Sequence, residues 1–173
     1  HDTAMKKLQS EAPSGTFDFI PCDLCSYKSV RAACDTLQVK YGDSGIDVMC
    51  CNAGVMALED RATEDGFDIQ MQTNQLSHVM MIHACWSLLE KAAAAHGEAR
   101  VIMHSSMARD APAGKVEAKY FGPNGGNLGG NSASMLFGGA RWVRYGQTKL
   151  ANLMFSQALH RRLAAKGSKI KSV

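Results

Sequence analysis

Three short apolar runs, at 46–51, 100–106 and 170–173, are separated by long stretches of helical periodicity. Strands that alternate with helices have no room for hairpins. They lie parallel, joined by crossover helices packed on the sheet. The predicted fold is therefore α/β with a parallel sheet. In such sheets ligands bind beyond the carboxyl ends of the strands. The run at 46–51 leads directly into Asn52, Ala53 and Gly54, a tight turn at such an end.

The remaining elements follow from punctuation and periodicity. Residues 3–10 read as a helix stopped by Pro13 and Gly15. Residues 17–22 alternate and read as a strand, and Pro21 restricts it to an edge. Ser26 is the expected N-cap of a helix over 27–41, with Val30, Ala33, Cys34 and Leu37 inward and Gly42 at its end. Thr63, Glu64 and Asp65 signal another helix start, before a long apolar segment at 67–95 that carries Asn74 and His78. Residues 110–144 hold 8 of the 16 glycines and 2 of the 4 prolines, and read as a long loop. A loop of that length in a compact domain is usually functional. A last helix is expected over about 145–166, with Leu150, Leu153, Met154 and Leu159 facing the core.

Composition narrows the function. The net charge is only +3 and no basic run is interleaved with aromatics, which argues against nucleic-acid binding. No apolar run reaches the ~18–20 residues of a membrane span. Most of the six cysteines sit in apolar runs and read as reduced structural thiols, as in a reducing intracellular compartment. Cys22 and Cys25 have metal or redox spacing but lack a second pair, so no metal site is expected.

The chemistry is carried by the last helix. Tyr145 and Lys149 are four apart, so they share one face with Asn152 and Ser156. A free phenol titrates near pH ~10, and a fixed cation favours its ionised form. Such a pair can act as a general acid and base near neutral pH.

In chain order the sequence shows Asp23 after a strand, Asn52, Ala53 and Gly54 after a strand, Asn74 in a helix, Ser105 and Ser106 after a strand, then Tyr145 and Lys149. That order resembles the short-chain dehydrogenase/reductase family across nearly the whole chain. The segment from Tyr145 to Phe155 and the long loop before it look most like the retinol dehydrogenase and protochlorophyllide reductase branch. The resemblance implies a doubly wound Rossmann-type parallel sheet and hydride transfer between NAD(P)(H) and a carbonyl or alcohol, with NADP slightly favoured. By the same similarity Tyr145 exchanges the proton, while Lys149 lowers its pKa and holds the nicotinamide ribose. Ser106, or its neighbour Ser105, binds the substrate oxygen, and Asn74 keeps a water in the relay. Asp23 and Leu24 would border the adenine, and Asn52, Ala53 and Gly54 would let backbone approach the cofactor. The implied substrate is small and apolar, and self-association is left open.

The departures are equally specific. The family's glycine-rich turn, G-x-x-x-G-x-G, does not occur within 1–173, nor does the second strand that selects NAD or NADP. The chain is therefore expected to be an internal piece of a partial Rossmann domain, lacking its first two strands and its C-terminal part. In the order 3-2-1-4-5-6 the segments 17–22 and 46–51 would then stand roughly 14 Å apart, without pairing. The loss of the phosphate turn leaves a rival reading: a dinucleotide-sensing or partner-binding domain that keeps the fold without chemistry.

Overall fold

The computed structural model describes residues 2–110, 114–134 and 138–173. Parts of the predicted loop, 111–113 and 135–137, lie outside the described residues. Three strands form the sheet: β1 (Val48–Cys51), β2 (Ala99–Met103) and β3 (Ile170–Ser172). Their order is β1-β2-β3 and both pairings are parallel. Val48 stands opposite Arg100, and Ala99 opposite Ile170, so the carboxyl ends of β1 and β2 finish side by side.

The helices are α1 (Asp2–Glu11), α2 (Tyr27–Tyr41), α3 (Ile69–Met71), α4 (Ser77–Ala84), α5 (Trp86–His96) and α6 (Ala140–Ala165). A π-turn, Gln72–Leu76, joins α3 to α4, and 3₁₀ turns occupy Met107–Asp110 and Ala118–Phe121. None of the described helices is long and apolar enough to cross a membrane. Burial alternates along β1: Met49 and Cys51 are covered while Val48 and Cys50 are exposed. Covered residues of the strands meet Leu88, Leu89, Ala92 and Ala93 of α5 in one apolar core. Val30 and Cys34 of α2 and Leu163 of α6 close that core.

Several expectations need correction. Residues 17–22 belong to no strand, although, as expected, they do not pair with β1. Asp18 instead meets Lys40 and Tyr41 at the end of α2. Just beyond, Cys22 and Leu24 line a cavity of about 220 Å³ with Cys50, Cys51 and Ala53. The helix expected from Thr63 starts at Ile69, because Asp68 rather than Thr63 provides the cap, accepting the Met71 amide at 2.8 Å. Thr63 closes a turn with Phe67 and Gly66, and Asp65 turns outward to cap α2 by accepting the Tyr27 amide. Helix α6 begins five residues before Tyr145, and its Met154 is exposed. The thiols also divide: Cys34, Cys51 and Cys85 are buried, whereas Cys22 and Cys50 are exposed.

Gly45, between α2 and β1, has φ +79°. A Cβ there would meet the Ala92 amide nitrogen at 2.6 Å and the Leu88 carbonyl at 2.7 Å, both backbone atoms of α5. Gly45→Ala should therefore destabilise the fold by at least about 2 kcal/mol, combining left-handed strain with a backbone clash. Chemical denaturation of the variant beside the parent measures this, and an unchanged midpoint would contradict it.

Candidate active site

The carboxyl ends of β1 and β2 open into a cleft of about 230 Å³ lined by Asn52, Gly54, Val55, His104, Tyr145 and Lys149. Strand β1 delivers Asn52 and Gly54, strand β2 delivers His104, and α6 delivers Tyr145 and Lys149. The cleft is where a parallel sheet is expected to bind its ligand.

Lys149 is 3 % exposed, and its ammonium donates to the His104 carbonyl at 3.0 Å. Burial pushes its pKa below that of a free lysine. The same ammonium lies 5.7 Å from the centre of the Tyr145 ring. Helical spacing of four brings the two together, as expected for residues one turn apart. Trp142, one turn before Tyr145, packs edge-on against that ring at 6.1 Å between centroids.

Asn74 sits on the π-turn and is fully buried. Its side-chain oxygen accepts the Val55 amide at 2.8 Å, while its amide donates to the Val55 carbonyl and to the Thr148 hydroxyl. Thr148 in turn donates to the Tyr145 carbonyl. Asn152 completes the frame: its amide donates to both the Asn74 and the His104 carbonyls. The polar stripe of α6 thus faces inward. Lys149, Asn152 and Ser156 are all buried beside Leu150.

Gly54 fits this frame closely. A Cβ at that position would lie 3.1 Å from the Asn74 side-chain oxygen and 3.6 Å from the Lys149 nitrogen. Its bare α-carbon leaves room for a ligand to approach the backbone.

The two serines have different partners. Ser105 donates its hydroxyl to the Lys149 carbonyl at 2.8 Å and ties β2 to α6. The Ser106 oxygen accepts the Ala108 amide at 3.2 Å at the start of the 3₁₀ turn. Asp23 accepts the Cys25 amide in a tight turn before α2, and the Leu24 carbonyl accepts from Ser77. Neither Asp23 nor Ser106 lines the 230 Å³ cleft, whereas Leu24 and Ala53 line the neighbouring cavity with Met49 and His78.

Arg144 and Gln147 escaped the sequence reading although both are buried on α6. The available signal was a run of polar residues, Gln147, Thr148 and Lys149, unusual beside an apolar stripe. A second signal was the cluster of Gln70, Gln72, Thr73, Asn74 and Gln75 inside a segment read as apolar. All five are buried.

His78 is buried one turn after Asn74, its Nδ1 at 3.1 Å from the Asn74 carbonyl. Burial lowers its pKa, the Asn74 carbonyl works against that shift, and the nearby Lys149 charge reinforces it. The unfolded imidazole titrates near ~6.5, so the neutral ring supports folding above that pH, and this support is lost as acid forces protonation. Below about pH 6.5 the parent should lose stability more steeply than His78→Gln. Thermal unfolding of both between pH 7 and pH 5 tests this, and parallel profiles would contradict it.

The family model described as short chain dehydrogenase matches residues 1–120. An uncharacterized oxidoreductase of Schizosaccharomyces pombe is 29% identical over 169 residues, covering 96% of this chain and 46% of that protein. Human polyprenol dehydrogenase is 28% identical, with 96% of this chain and 46% of that one aligned. Chloroplastic protochlorophyllide reductase of Marchantia paleacea is 30% identical, with 88% of this chain and 35% of that one aligned. A crystal structure of an uncharacterized protein from Mycobacterium paratuberculosis superposes with TM-score 0.69 at 30% identity, over 98% of this chain and 53% of that one. NADPH-bound carbonyl reductase from chicken fatty liver shares the fold, with TM-score 0.60 at 20% identity, over 97% of this chain and 59% of that one. The chain spans about half the length of most of these relatives.

Proposed function

This chain belongs to the short-chain dehydrogenase family, and on that premise we propose that it forms the proton-transfer half of an NAD(P)(H)-dependent oxidoreductase acting on a carbonyl or alcohol. The observation that carries the reading is the convergence of Tyr145, Lys149, Gly54 and Asn52 on one cleft at the carboxyl edge of the sheet. Gly54 is the test of fit: the space a Cβ would fill there lies against Lys149 and the Asn74 amide, so a flat ring-and-ribose group can come close. The bound nicotinamide would supply the hydride.

The protein's own residues orient, polarise and move one proton. Tyr145 stands at the cleft with its hydroxyl as the proton donor or acceptor. Lys149, a cation buried against that ring, stabilises negative charge on the phenol oxygen as the proton leaves, and offers its remaining N–H groups to a ribose. Ser106 is better suited than Ser105 to bind the substrate oxygen. Ser105 uses its proton on the Lys149 carbonyl, whereas Ser106 only accepts and keeps an O–H to donate. Asn74 acts here as a frame that holds Val55 and Thr148, and so the two sides of the cleft, in register. Asp23 and Leu24 mark the adenine side, with Ala53 between the two cavities. The substrate is proposed to be small and apolar, with NADP or NAD as cofactor.

The test uses the intact gene product with NADPH or NADH and a panel of apolar aldehydes and ketones. Tyr145→Phe should lower kcat roughly 100-fold or more while leaving the thermal midpoint unchanged. Undiminished turnover would remove Tyr145 from the chemistry, and cofactor binding without any turnover by the parent would favour a sensing role. Lys149→Met should also abolish turnover, yet unfold at a higher temperature than the parent, because it removes a buried cation whose pKa is already lowered by desolvation. A lower midpoint in that variant would contradict this account of Lys149.

A further inference from the structure

The first two turns of α6 bind the long loop through its backbone. Arg141 Nε donates to the Asn131 carbonyl at 3.0 Å, and Trp142 Nε1 to the Ala133 carbonyl at 3.0 Å. Gln147 accepts the Glu117 amide and donates to the Lys115 carbonyl. Arg144 lies at the centre, with no exposed surface. Its guanidinium donates to the Gly130 carbonyl at 2.8 Å, to the Leu58 carbonyl at 3.1 Å and to the Leu128 carbonyl at 3.4 Å.

Two buried carboxylates face the same guanidinium. Asp60 lies 3.6 Å away and accepts the Leu128 and Gly130 amides, gripping the same loop residues from the other side. Asp68 lies 3.5 Å away and caps the helical segment that leads to Asn74. A planar guanidinium can donate to three carbonyls while facing two carboxylates at ion-pair distance, which a point charge on a flexible stem cannot, although Arg144 Nε and Asp68 Oδ2 themselves make no hydrogen bond.

We infer that Arg144 is a positioning residue: it locks the 127–131 loop and the Asn74 helix to the turn of α6 that presents Tyr145. The inference rests on the proposed function for its kinetic part only. Arg144 does not itself line the 230 Å³ cleft. Its effect reaches the phenol through the next residue in the chain and through Trp142, which binds the loop at Ala133 and packs on the Tyr145 ring.

Arg144→Lys in the intact gene product tests it, with Asp60→Asn as the second variant should the first fail to fold. Three readouts are taken at a temperature where circular dichroism shows a folded protein. Cleavage by a protease within 115–134 should be at least tenfold faster than in the parent. Turnover should fall at least tenfold in kcat, while the dissociation constant for NADPH stays within about twofold, because Lys149 and Gly54 are untouched. A merely structural role would not separate kcat from cofactor affinity in a folded variant. Parent-like cleavage in either folded variant would overturn the inference, as would faster cleavage with kcat unchanged. Should the parent itself turn over none of the substrates, the enzymatic reading fails, and parent-like or accelerated cleavage still decides whether Arg144 holds the loop.

Discussion

One backbone oxygen organises the cleft. The His104 carbonyl, one residue beyond β2, accepts from the Lys149 ammonium and from the Asn152 amide, both at 3.0 Å. A buried ammonium needs hydrogen-bonded partners to offset the cost of leaving water. In a parallel sheet that partner arises where a strand ends, since its last carbonyls have left the ladder. The strand end and the helix are therefore tied at the same point. Lys149 is held by the sheet, and the sheet edge is closed by Lys149 and Asn152. The Ser105 hydroxyl on the Lys149 carbonyl repeats the tie from the other direction.

The π-turn explains how Asn74 joins this arrangement. A wide turn inside a helix shifts the register of its side chains and is frequent at functional sites. Here it places Asn74 so that its amide spans Val55 on one side and Thr148 on the other, while its carbonyl meets Asn152 and His78. Every polar atom of Asn74 that these bonds describe joins two elements. Within the buried run Gln72–Gln75, Gln72 finds a partner, its Nε2 donating to Asp65, which also caps α2, whereas Gln75 Oε1 is buried without one.

The sheet was legible in the sequence because parallel topology leaves a strong signature: short apolar runs separated by helices. The positions of β1, β2, β3 and α2 follow from it directly. The segment 17–22 misled because alternation reports which residues could pair, while a strand also needs a neighbour. The helix start was misplaced because Thr63 and Asp68 are both good caps locally, and only the tertiary fold decides. In α6 the apolar and polar stripes were both read, but the burial of the polar one follows from partners contributed by β2 and the π-turn. Those partners are distant in sequence, as Asn152 with Asn74 and Lys149 with His104 show. Arg144 was invisible for the same reason: a guanidinium matched by Asp60 and Asp68 looks, in one dimension, like a surface arginine.

The way the loop is held has a further consequence. Arg141, Trp142, Arg144 and Gln147 hydrogen-bond the described loop residues at backbone carbonyl oxygens and amides. Backbone groups are present whatever residue occupies the position. The loop's course over α6 is thus specified largely by the helix, and its exposed side chains can change with little effect on that course, whereas Tyr120 and Leu128 are buried with Met71 and Val143 and cannot. Glycines with left-handed φ at 126, 129 and 130 are a further exception, because there the path itself requires them. A scaffold built this way separates the invariable task, holding a phenol and an ammonium at the strand ends, from a variable one, shaping what lies above them. The separation is physical: the first depends on buried side-chain frames and the second on exposed side chains hung from a backbone already in place.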